Sequence, residues 1–109
     1  MSSMNKIYKL LSSKLRLAIV MHLYSCSISD CNVDDLVQQF KVKQANLSKN
    51  LKILLDSNVI EFTKNKRFIY YKLTNSFLEE FREILDFTAR RNEIKSYFCK
   101  CKKSQKETT

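Results

Sequence analysis

Four cysteines, one histidine and a run of lysines are the residues of this chain whose types could do chemistry. Thiolates bind soft metal ions and react with oxidants, so Cys26, Cys31, Cys99 and Cys101 are candidates for a redox pair or a soft-metal site. Such a pair forms only where the fold brings two Cα atoms within about 7 Å. Lys100, Lys102 and Lys103 favour thiolates at Cys99 and Cys101 and raise their reactivity. The alternative is four unrelated thiols in a loop and a tail. His22, the sole histidine, falls at the border of a helix's apolar face, where packing accounts for it better than ligation.

The second chemical feature is the stretch "VKQANLSKNLKILLDSNVIEFTKNKRFIYYKL", residues 42 to 73, with seven Lys or Arg around a regular apolar spacing. On a helix in the major groove, Gln44, Ser48, Lys49 and Asn50 can hydrogen-bond to base edges, while Lys41, Lys43 and Lys52 neutralise phosphates. Lys64, Lys66 and Arg67 crowd one hairpin tip, from which they can reach the adjoining minor groove or backbone.

These groups need a scaffold, and local signals supply one. Residues 4 to 11 predict a short amphipathic helix. Ser12 or Ser13 caps a second, with Leu15, Ala18, Ile19 and Leu23 at helical spacing, fading at Ser25 to Ser27. Asn32 and Asp35 form a capping box for a third helix that buries Leu36, Val37 and Phe40. After a turn at Lys41 to Lys43, Leu47, Leu51 and Leu54 give a fourth helix one core face, ending where Asn58 can take the left-handed conformation. Val59 to Lys64 and Phe68 to Leu73 read as two strands, with Asn65 at the tip tolerating positive φ. Ser76 and Glu79 predict a capping box for a long last helix, apolar at Phe77, Phe81, Ile84, Leu85 and Thr88 and reaching about Phe98. The expected fold is mainly α with a small β-hairpin: a winged helix-turn-helix of five helices and a two-stranded wing. Residues 1–98 would form the DNA-binding and dimerisation domain, pairing through the first and last helices, and 99–109 a basic, cysteine-containing, frayed tail.

Composition bounds the partners. The 109 residues carry 20 Lys or Arg against 11 acids, a formal net charge of +9, which implies a polyanionic partner, either nucleic acid or an anionic membrane surface. No apolar run approaches a membrane span and no signal-peptide pattern opens the chain, so a cytoplasmic protein with reduced thiols is expected. Glycine and proline are both absent, leaving asparagine to serve the turns.

Leu11-Ser-Ser-Lys-Leu-Arg-Leu-Ala-Ile19, Val33-Asp-Asp-Leu36, Gln44-Ala-Asn-Leu-Ser-Lys-Asn-Leu-Lys52, Asn58-Val-Ile60 and Arg67-Phe-Ile-Tyr-Tyr-Lys-Leu73 together resemble the ArsR/SmtB-type winged-helix repressors. The resemblance runs over roughly residues 8 to 98. It implies a homodimer on an inverted-repeat operator in double-stranded DNA, released when a metal ion or thiol-oxidising species occupies the protein. It also implies base reading by Gln44, Ala45, Ser48, Lys49 and Asn50. Asn50 replaces a frequent His and Lys43 a frequent Ser, and the usual glycines at the helix end and wing tip are missing. Where members carry a Cys-Val-Cys-Asp-Leu run, this chain has Asn32-Val33-Asp34-Asp35-Leu36. At the spacing of the family's last-helix metal site it has Asp86, Thr88, Cys99 and Lys102. Tyr97-Phe98-Cys99 resembles half of the sulfur-sensing pair, whose other position is Met21. Neither metal site is preserved, so no cofactor is certain; a soft ion held by cysteine thiolates is the remaining metal reading.

Two other function classes compete. A winged helix that binds RNA or protein through its Phe-rich last helix would lack sequence-selective duplex binding. A thiol oxidoreductase acting through Cys99 and Cys101 lacks a Cys-x-x-Cys motif, a well-placed base and paired carboxylates, and is not expected. The basic tail lacks an apolar face for a membrane surface.

Overall fold

In the computed structural model, which describes residues 4–26 and 31–99, the chain runs α1 (Met4–Leu11), α2 (Lys14–Ser25), β1 (Cys31–Asn32), α3 (Val33–Phe40), α4 (Gln44–Asp56), β2 (Ile60–Asn65), β3 (Phe68–Leu73), α5 (Asn75–Ala89) and a 3-10 segment (Asn92–Tyr97). The order matches the winged helix-turn-helix expected from the sequence.

Local chemistry sets most boundaries. Ser13 caps α2, its Oγ accepting from the Arg16 N–H at 3.3 Å. The box at α3 is complete: Asn32 Oδ1 accepts from the Asp35 N–H at 2.9 Å, and Asp35 Oδ2 accepts from the Asn32 N–H at 3.1 Å. Both satisfy donors that a helix start leaves exposed. Lys41 ends α3 in the left-handed region (φ 55°), its N–H donating to Val37 O at 2.8 Å. Asn58 (φ 61°) ends α4 in the same way, as expected. A lysine at φ 55° accepts a steric cost that glycine would avoid, and this chain has no glycine to place there.

The structure corrects three details. Asn65 is the last paired residue of β2, opposite Phe68, and the positive φ (60°) falls on Lys66. With Arg67 completing a two-residue turn and positive φ only at its first position, the tip has the sign pattern of a type II′ turn. The cap of α5 is Thr74 rather than Ser76: its Oγ1 accepts from the Phe77 N–H at 3.2 Å while its hydroxyl donates to Asn58 O at 2.8 Å. The last helix stops at Ala89 instead of reaching Phe98. A straight continuation would carry polar Asn92 onto the inner face, two turns beyond Leu85; turning into the 3-10 segment buries Ile94 instead.

The wing is also broader than a hairpin. β1 pairs antiparallel with β3, Cys31 opposite Tyr71 and Asn32 opposite Tyr70, so the sheet order is β1-β3-β2. Two residues, the second of them the cap of α3, give no alternation from which a strand is readable.

The core gathers Ile19, Leu36, Leu47, Leu51, Leu54, Val59, Leu73, Phe77, Phe81 and Leu85. Six consecutive residues of α2, Ala18 to Leu23, are buried, so this helix is enclosed on every side and the other elements pack around it. Thr74→Ala removes one cap bond and the tie to Asn58, and is expected to cost about 1 kcal/mol. A lower urea midpoint at unchanged slope would register it.

Candidate functional site

Buried leucines decide which face of α4 is offered to a partner. Leu47, Leu51 and Leu54 point into the core, leaving Gln44, Ala45, Ser48, Lys49 and Lys52 exposed. Asn50 is the exception among the expected base readers and is corrected here. It lies three residues after Leu47 and four before Leu54, within the inner stripe, and is only 9% exposed. Its Oδ1 accepts from Arg16 Nη1 at 3.0 Å, and its Nδ2 donates to Asn46 O at 2.9 Å. Both ends of the amide are thus committed within the protein. Arg16 also donates through Nε to Leu10 O at 2.9 Å, so one guanidinium ties α1, α2 and α4. The helical spacing from Leu47 to Leu54 carries the signal for Asn50; a single arginine at the start of α2 carries none for its partner.

The wing lies beside this face. Gln44 at the start of α4 and Arg67 at the wing tip line one cleft of about 180 Å³, together with Asn32, Val33, Asp34, Phe68 and Ile69. Lys41, Lys43, Lys64, Lys66 and Arg67 are all exposed. The Arg67 guanidinium stands over the Phe68 ring at 5.3 Å, which orients it. Lys52 faces Asp56 at 3.6 Å in an exposed pair, a weak tie that a phosphate can displace.

A second constellation gathers at the far end of α2. Cys31 Sγ lies 3.1 Å from His22 Nε2, 3.2 Å from Cys26 Sγ and 3.6 Å from Cys99 Sγ. The ligand atoms of His22, Cys31 and Cys99 all fall within 4.8 Å of one another. The three cysteines stand as thiols, Cys26 and Cys31 buried and Cys99 half-buried. Three backbone segments deliver them: the end of α2, β1 and the stretch after the 3-10 segment. Cys99 is held in place, its N–H donating to Ser25 Oγ at 2.7 Å, while Gln39 Nε2 donates to Phe98 O at 2.8 Å. It belongs to the packed domain rather than to a frayed tail; Cys101 and the remaining tail residues lie outside the described residues.

His22 is the member that sequence reasoning assigned to packing. Its ring is fully buried and meets Phe40 edge-on at 5.7 Å. Burial pushes its pKa below the ordinary histidine value, against opposing influences from Cys26, Asp35 and the Tyr97 backbone. It is therefore neutral at pH 7, the form in which imidazole ligates metals. The spacing of His22 and Cys26, one turn apart at a helix end, was the available clue.

The two metal positions implied by the family resemblance do not fit. Asn32 is consumed in capping α3, and Asp34 beside it is exposed on that helix's first turn. Asp86 accepts a hydrogen bond from the Tyr24 hydroxyl, Thr88 donates to Ile84 O at 2.7 Å, and Lys102 lies outside the described residues. Cys99 belongs to the other cluster.

No family model matches the chain. Over 84 residues it is 33% identical to the arsenical resistance operon repressor of Staphylococcus xylosus, an alignment covering 76% of this chain and 77% of that protein. Among solved structures it resembles the transcriptional repressor BigR from Xylella fastidiosa, at 27% identity and a TM-score of 0.64 over 78% of this chain and 84% of that one. It shares its fold with HlyU from Vibrio cholerae N16961, at 20% identity and a TM-score of 0.65 over 77% of this chain and 85% of that one.

Proposed function

This chain belongs to the ArsR/SmtB-type family of winged-helix transcriptional repressors, and we propose that it acts as a homodimer whose two α4 helices enter successive major grooves of an inverted-repeat operator. It is a repressor and not an enzyme, as members of this family are. In this reading Gln44, Ala45, Ser48 and Lys49 face the bases, and Lys41, Lys43, Lys52, Lys64, Lys66 and Arg67 hold the phosphate backbone. The observation that carries it is the shared cleft of Gln44 and Arg67, which sets the exposed face of α4 and the basic wing side by side. A duplex presents its groove and flanking phosphates in just that relation.

Dimerisation is supported by what remains uncovered. Met4 and Tyr8 on α1 and Phe87 on α5 are between 45% and 58% exposed, apolar groups on the two helices expected to form a seam. A second copy would cover them. The reading places the protein in the cytoplasm with its operator; among the described residues no helix is long and apolar enough to cross a membrane. Release from the operator is assigned to the thiols, through a soft metal ion or through thiol oxidation.

Selection of the reduced protein against a random duplex pool at near-physiological salt tests this directly. The expected product is an inverted repeat with half-site centres about one helical turn apart. Salt-sensitive binding with no enriched sequence would overturn it in favour of an RNA- or protein-binding winged helix. Once the repeat is known, Gln44→Ala should cost about 1–3 kcal/mol at one base pair per half-site and leave the salt dependence unchanged, read by competition between single-base operator variants.

A further inference from the structure

We propose that His22, Cys31 and Cys99, completed by Cys26, form a binding site for a thiophilic divalent ion of the zinc and cadmium class. The proposal deepens the repressor reading by naming the ligand and the site, and it rests on that reading only for its regulatory consequence.

The donor set is the first argument. Three sulfurs and one imidazole nitrogen make a borderline-soft site that excludes the oxygen-seeking magnesium and calcium. Ligands about 2.3 Å from a tetrahedral ion stand roughly 3.8 Å apart. Contacts of 3.1, 3.2 and 3.6 Å around Cys31 Sγ require only a slight spreading to admit an ion. Buried cysteines commonly serve as small apolar fillers. Fillers need not converge, however, and Cys31 and Cys99 converge with the chain's sole imidazole, with Cys26 Sγ 3.2 Å from Cys31 Sγ.

The second argument is delivery of the distant ligand. Cys99 is 68 residues from Cys31 and is brought back to it by the 3-10 segment that follows the end of α5 at Ala89. Ser25 binds its backbone and Gln39 binds the carbonyls of Tyr97 and Phe98, at 2.7 Å for Cys99 and at 3.4 and 2.8 Å for the two carbonyls. Such outer contacts orient a ligand before the metal arrives. Each ligating thiol loses its proton to solvent, so affinity rises with pH. With four protein ligands the site is closed, holding no position for a reacting water, which suits a regulatory or structural ion.

The route to DNA is short. Cys31 is directly followed by Asn32, the cap of α3, and α3 leads through the Lys41 turn into α4. An ion drawing Cys31 towards Cys99 therefore acts on the first helix of the helix-turn-helix unit.

Cadmium titration of the full, reduced, metal-free chain, followed by ultraviolet thiolate-to-metal absorption and by competition with a chromophoric chelator, tests the site without DNA. One ion per chain is expected. Cys31→Ser and Cys99→Ser should each weaken binding by at least about 100-fold, more than the loss of an outer contact, while Cys101→Ser leaves it unchanged. Cys31 is fully buried, so its variant is checked for folding by circular dichroism; half-buried Cys99 supplies a test that does not depend on it. No absorption at one equivalent, or unchanged affinity in the folded Cys99→Ser variant, would overturn the proposal. A dependence on Cys101 would do the same. So would a mass loss of two hydrogens under mild oxidant in a chain that binds no cadmium, which makes the cluster a disulfide switch. Operator selection is scored separately, so failure of the metal site leaves the repressor reading standing and the converse also holds.

Discussion

Leu51→Ala is expected to remove about 3–4 kcal/mol of stability, a large share of what a domain of this size possesses. Leu51 is 2% exposed and belongs to the buried stripe that seats α4 against the rest of the core. Truncation loses the transfer energy of the side chain and leaves a cavity that neighbours on several elements cannot all collapse to fill. The residue touches no DNA in the proposed interface, yet operator affinity should fall in proportion to the unfolded fraction. Urea unfolding at two temperatures, alongside operator titration, checks this; a variant that keeps its midpoint but loses the operator would mean Leu51 contacts DNA itself. Leu51→Met, which conserves volume, should cost less than about 1.5 kcal/mol.

The second large effect is electrostatic. Replacing Lys64 and Arg67 by Gln and Lys66 by Asn removes three cations per wing, or six per proposed dimer, at exposed positions. Asn is chosen at 66 because it tolerates the positive φ of 60° found there. Stability should stay within about 0.5 kcal/mol of the parent. The slope of log affinity against log salt should become shallower by as much as about five, with affinity at low salt falling about 100-fold or more. Base preference within the half-site should survive, since α4 is untouched. An unchanged slope would show that the wing points away from the phosphates.

Much of the scaffold was legible because it is written in short-range signals. Asn32 and Asp35 are three residues apart, and their reciprocal bonds need nothing from elsewhere in the chain. The stripe of Leu47, Leu51 and Leu54 and the left-handed Asn58 are equally local. Errors arose where a tertiary partner decides. The strand register puts Asn65 opposite Phe68 and so passes the strained turn position to Lys66, a shift of one residue that composition cannot resolve. For Asn50 the stripe from Leu47 to Leu54 already points inward, and only its partner Arg16, 34 residues away, is beyond the reach of local signals.

The thiols illustrate the same limit from the other side. Their residue types were enough to pick out Cys26, Cys31 and Cys99 as candidates. Their convergence was not readable, because it depends on β1 pairing with β3 and on α5 ending at Ala89 so that the chain returns to the end of α2. The position of His22 at an apolar border signals packing, and the ring is indeed fully buried, but its Nε2 also stands 3.1 Å from Cys31 Sγ.

The enclosure of α2 bears on which parts of the molecule move. Amides of Ala18 to Leu23 are wrapped on all sides, so they should exchange with solvent deuterium only when the whole domain opens and set the slowest rates in the chain. His22 lies within that stretch and Cys26 caps the same helix, while Cys31 and Cys99 stand on a two-residue strand and just beyond the 3-10 segment. Half of the cluster is therefore mounted on a stationary post. Any displacement on ligation must be taken up by the other half, and the strand half is the one joined to α3.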